Sequence, residues 1–111
     1  MTHGPQACNM LKHALELDKK NFTAYDSLGV YYINAPVIGG GSMAKGIQTL
    51  QNALESKDEF DNFISHVWLG QAYQKKKDSD QAVKYLKKAL EIYPNSPWAK
   101  GLLKQIEKNS K

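Results

Sequence analysis

Between Asp78 and Tyr93 the apolar residues Ala82, Val83, Leu86, Ala89 and Leu90 recur at spacings of one, four, seven and eight positions, with Lys84, Lys87 and Lys88 between them. That spacing predicts one apolar stripe along an α-helix and a solvated lysine face opposite it. Asp78-Ser79-Asp80-Gln81 supplies an oxygen-bearing N-cap with glutamine three residues on, a near variant of the capping box, and Tyr93-Pro94-Asn95 stops the helix. Ser96 then caps another, with Pro97 at its first position, where the missing amide hydrogen costs nothing. The same reading along the chain predicts helices over 5–18, 22–34, 43–56, 62–76, 79–93 and 97–109.

These stripes are copies of each other. Leu11, Leu50 and Leu86 each open the run Leu-x-x-Ala-Leu-Glu, whereas Leu28-Gly29 and Leu69-Gly70 are each followed three residues later by a tyrosine, Tyr32 and Tyr73. Three copies of one helix therefore alternate with two of another. Phe63 to Ser96 spans 34 residues, and there the chain resembles the tetratricopeptide repeat family: Leu69, Gly70 and Tyr73 match its first helix, Ala82, Leu86 and Ala89 its second, and Pro94 its terminal proline. His66 stands where tryptophan is usual. An earlier unit matches at Tyr25, Leu28, Gly29, Tyr32, Leu50 and Ala53, with Gly46 in place of alanine.

The resemblance implies an all-α solenoid of about six antiparallel helices, divided into an unpaired repeat helix (5–18), a lengthened repeat (22–60), a regular repeat (63–96) and a closing helix (97–109). Gly29, Gly46, Gly70 and Ala82 are small enough for paired helices to cross closely, with Leu50 and Leu86 filling the space around them. The first helix, around Ala7, Leu11 and Ala14, lacks the partner that would precede it. The expectation is either a longer array or self-association through that helix.

The lengthened unit carries INAPVIGGGSM from Ile33 to Met43. Read from Gly39, a phosphate-binding loop fails at two of its four fixed positions, Ala44 and Gly46, and no strand precedes it. The favoured reading is a plain connector with Ser42 as the cap of the next helix; a weaker alternative is that the amides of Gly40 to Ser42 hold an anion. Pro36 drives Ala35 out of helical geometry, so about five extra residues join the paired helices. Val37 and Ile38 are expected either to plug the gap beside helix 22–34 or, with Gly39, Gly40 and Gly41, to form a flap over the concave face.

Family geometry implies a partner-binding groove formed by Thr23, Asp26, Val30, Ile33 and Asn34 on one helix and Ile64, Val67, Gln71, Gln74 and Lys75 on the next, continued by Trp98 and Leu102. For Ile64 and Val67, packing between helices is an equal alternative. Co-chaperones of the family clamp a C-terminal carboxylate with lysine, asparagine and arginine; here Asp26, Val30, Trp68, Trp98 and Leu102 hold the matching places, so that clamp is missing. A mixed apolar and amide-bearing groove suits an extended peptide or a partner helix. The function implied is a protein–protein adaptor or assembly scaffold. The alternatives are a carrier enclosing a small apolar ligand between the 35–42 loop and Trp98, and weak electrostatic binding of acidic surfaces or nucleic acid.

Composition narrows these options. The chain of 111 residues has a net charge of +4, but residues 1–62 hold five lysines against seven acids and residues 63–111 ten against four. Every basic residue is lysine, and without the arginine fork sequence-specific nucleic-acid reading is not expected. Cys8 stands alone, which excludes an internal disulfide and favours a small buried apolar role. His3, in an end expected to be loose, His13, on an outer face, and His66, at a packing position, do not converge on a metal site. The run Lys57-Asp58-Glu59-Phe60-Asp61 reads as a solvated inter-repeat turn. Asn21-Phe22-Thr23 fits a glycosylation acceptor, but Asn21 also suits a helix cap. No nucleophile, base and orienting group can be placed together and no cofactor signature is found, so no enzyme, metal or cofactor is expected. No apolar run approaches membrane-spanning length and no secretory leader is visible, which makes the cytoplasm the default compartment unless an upstream signal was removed.

Overall fold

The structure is a computed structural model describing residues 3–109; the side chains of His3 and Ala7 lie outside the described residues. Six helices follow one another: α1 (His3–Leu17), α2 (Phe22–Asn34), α3 (Met43–Ala53), α4 (Glu59–Lys75), α5 (Ser79–Ile92) and α6 (Pro97–Asn109). Each packs on its successor, and α4 also touches α2 and α6. Alternate helices α2, α4 and α6 therefore share one side of a helical stack, as expected for antiparallel pairs laid side by side.

Local chemistry sets the starts. Side-chain oxygens of Asn21, Ser42, Asp58 and Asp78 accept from the amides of Ala24, Lys45, Asp61 and Gln81, and Ser96 Oγ accepts from Ala99. Asp58 corrects the reading of 57–61 as a solvated turn: Glu59, Phe60 and Asp61 form the first turn of α4, where acidic groups suit the positive end of the helix dipole. The preceding helix ends at Ala53, not at 56. Amides of Leu54, Glu55 and Ser56 turn back three residues, and Asn62 Nδ2 donates to the carbonyls of Leu54 (2.9 Å) and Ser56 (3.3 Å).

The two hairpins are built on the same contact. A β-carbon on Gly29 would sit 2.6 Å from Leu50 Cγ, and one on Gly70 2.6 Å from Leu86 Cγ. The lengthened connector thus leaves the crossing of α2 and α3 equivalent to that of α4 and α5. Leu50, Leu69, Leu86 and Val67 are fully buried. On α1, Cys8 is buried with Leu28 and Tyr32, and Leu11 and Leu15 pack against them, while Met10 and Leu17 face solvent.

Candidate functional site

The connector between α2 and α3 is a closed hydrogen-bonded unit. Gly39 and Gly41 amides donate to Pro36 O (both 2.9 Å), Gly40 to Val37 O (3.0 Å) and Ser42 to Tyr32 O (2.8 Å), while the Tyr31 hydroxyl donates to Gly39 O. These amides are already used, which removes the weaker anion-holding alternative, and Ser42 caps α3 as the favoured reading had it. Gly40 turns the chain at φ 96°, a conformation open to glycine. Val37 and Ile38 are 86% and 97% exposed, so neither plugs a gap. Gly39 and Gly40 border a hollow of about 210 Å³ with Cys8, Asn9, Lys12, Tyr31, Tyr32 and Lys45.

A larger cleft of about 490 Å³ lies between α2 and α4. Thr23, Asp26, Ser27 and Val30 line it from α2, and Phe60, Asp61, Ile64 and Trp68 from α4. Offsets of three, four and seven residues on α2, and of one, four and eight on α4, put each set on one helix face. Four of the sequence-derived groove residues meet here: Thr23, Asp26, Val30 and Ile64.

The others go elsewhere, for identifiable reasons. Val67, one residue short of Trp68 on α4, points into the core with Phe63, Ala82 and Leu86. Ile33 fills the space above Gly46. Lys75 Nζ donates to Asn34 Oδ1, tying the far ends of α4 and α2 together, and Asn34 Nδ2 donates to Val30 O. Gln71 is half-buried farther along α4, and Gln74 borders a separate hollow with Lys77, Ser79, Ile106 and Asn109. Leu102 packs on the core between α5 and α6. Trp98 stands edge-on to Trp68 with ring centres 5.3 Å apart and also meets Phe63 at 6.4 Å, so it backs the wall of the cleft.

Ser27, Phe60 and Asp61 were missed. Phe60 and Asp61 were hidden because the helix was started at 62; recognising Asp58 as its cap extends the stripe of Ile64 and Trp68 back by one turn.

At the floor of the cleft Asp26 is only 9% exposed. Ser65 Oγ donates to its Oδ1 at 2.7 Å, and the same oxygen lies 3.0 Å from the Asp61 carbonyl, so two acceptors compete for one hydroxyl proton. Asp61 Oδ2 accepts from Ser56 Oγ at 3.2 Å. Burial pushes the Asp26 carboxyl up to about 6; the Ser65 bond opposes this and the neighbouring Asp61 adds to it. His66 Nδ1 donates to Asn62 O (2.7 Å), and burial lowers its pKa, as befits a packing residue. His13 is exposed beside Glu16. Among the described residues no group of three or more histidine, cysteine or acidic side chains is arranged to hold a metal ion.

A family model described as tetratricopeptide repeat matches residues 64–96. No curated protein matches the chain.

Proposed function

We propose that the cleft between α2 and α4 receives a segment of a partner protein, the chain acting as an adaptor or assembly module; residues 64–96 match the tetratricopeptide repeat, a helix pair that generally serves protein–protein interaction. The observation that carries this reading is the apolar wall of the cleft. Val30, Ile64 and Trp68 are half-buried, on the side that α2, α4 and α6 share, in a volume suited to side chains from an extended segment or a helix face. Among the described residues no helix is long and apolar enough to cross a membrane.

Panning a random peptide display library on the chain tests the assignment. Selected peptides are expected to lose binding when Val30 and Ile64 are replaced by glutamate and to keep it when Lys87, on the exposed face of α5, is so replaced. Equal binding to the Val30→Glu/Ile64→Glu variant, with helicity intact, would overturn it.

A further inference from the structure

The cleft combines an apolar wall with two carboxylates that pair with no cation among the described residues. Among the described residues the single ion pair joins His13 and Glu16, far from the cleft in sequence, and none involves Asp26 or Asp61. Asp26 is nine-tenths buried and its Oδ1 is occupied by Ser65, while among the described residues no donor reaches Oδ2. No buried side-chain oxygen among the described residues lacks a partner, so Oδ2 reaches solvent, and Asp26 lines the cleft. An acceptor of this kind, largely stripped of water and open on one side, favours a donor that brings positive charge with it.

We propose that the cleft takes a lysine or arginine side chain of the partner segment, its charged head between Asp26 and Asp61 and its aliphatic stem along Val30, Ile64 and Trp68. The inference rests on the cleft being the partner site and specifies what it recognises. Long basic side chains suit such a place because their stems bury against apolar surface while the head meets the carboxylates. Trp68, held edge-on by Trp98, presents an aromatic surface of fixed orientation to a passing cation. Local charge points the same way: both charged side chains that line the cleft, Asp26 and Asp61, are acidic.

The test uses four pools of capped heptapeptides whose central residue is lysine, arginine, norleucine or glutamate and whose other positions vary among alanine, valine, leucine, phenylalanine and serine. Binding is followed by chemical-shift changes at Val30, Ile64 and the Trp68 indole. The lysine and arginine pools are expected to bind about tenfold or more tightly than norleucine. Asp26→Asn combined with Asp61→Asn is expected to erase that preference and leave norleucine binding unchanged. Equal binding of lysine and norleucine, a preference for glutamate, or a lysine preference that survives both substitutions would each overturn the inference while leaving the cleft as a partner site. If no pool moves these resonances, the cleft assignment itself fails.

Discussion

Ser65 on α4 donates a 2.7 Å hydrogen bond to Asp26 on α2, joining residues 39 positions apart at the floor of the cleft. The bond satisfies one oxygen of a carboxylate that burial has made costly to ionise, and it couples the two helices whose separation sets the width of the cleft.

Stability should therefore depend on the protonation of Asp26. Its folded-state pKa of about 6 lies above the unfolded value of about 4, so the folded state binds the proton more tightly. Stability from this group is present below pH 4 and is lost as pH rises through 6. Asp26→Asn, which keeps an oxygen to accept from Ser65, is expected to stabilise the chain at pH 7.5 by on the order of 1 kcal/mol, after allowing for the solvent that the cleft admits. Urea unfolding of both proteins at pH 4.5 and 7.5 checks this. An equal difference at the two pH values would refute it.

Gly70→Ala should destabilise, because the new methyl would sit 2.6 Å from Leu86 Cγ and 2.8 Å from its Cδ2 inside a filled helix crossing. A loss of about 1–3 kcal/mol is expected, as for other overpacked cores. Gly101→Ala provides the contrast. Beyond its chain neighbours and its own helix backbone nothing lies within 4 Å of the added carbon, so the helix gains about 0.5–1 kcal/mol from alanine's higher propensity. Thermal unfolding of the two variants should move in opposite directions.

Lys77 closes α4 in the left-handed region at φ 66°, while the Asp78 amide reaches back to Tyr73 O at 2.9 Å. Glycine is the residue this kind of helix end favours. Lys77→Gly is expected to raise stability by about 0.5–1 kcal/mol, measured by denaturant midpoint, without altering helicity.

The connector should tolerate changes at its tip and resist them at its turn. Replacing Val37 and Ile38 by serine is expected to shift stability by less than about 0.5 kcal/mol, since both side chains stand in solvent. Gly40→Val should cost more than about 1 kcal/mol, because a β-branched residue does not accept φ 96°. Hydrogen exchange at the Ser42 amide, which donates to Tyr32 O, would report the loosening directly.

The helices, their order and the close crossings of Gly29 with Leu50 and Gly70 with Leu86 were legible in the sequence. All depend on interactions within a few residues or on a repeated stripe: a cap three positions from the amide it accepts, or a small residue facing a leucine in each hairpin. The boundary of α4 was legible too, had Asp58 been weighed as a cap. The cleft was only half legible. Ile64 and Val67 lie three residues apart on α4, yet one faces the opening and the other the core, because the pitch of α4 against α2 and α5 decides where a stripe divides.

By itself the sequence determined an alternation of amphipathic helices with small residues at their crossings, since the period of apolar positions and the reach of a capping side chain are local quantities. Tertiary structure alone decided three things: that the glycine-rich connector spends its own amides and turns Val37 and Ile38 to solvent, that Val30 on α2 and Trp68 on α4 line one cleft, and that Asp26 is buried beside Ser65 with one oxygen left open. Each of these depends on which surfaces meet when the helices stack, and a contact between positions 39 residues apart leaves no periodic trace along the chain.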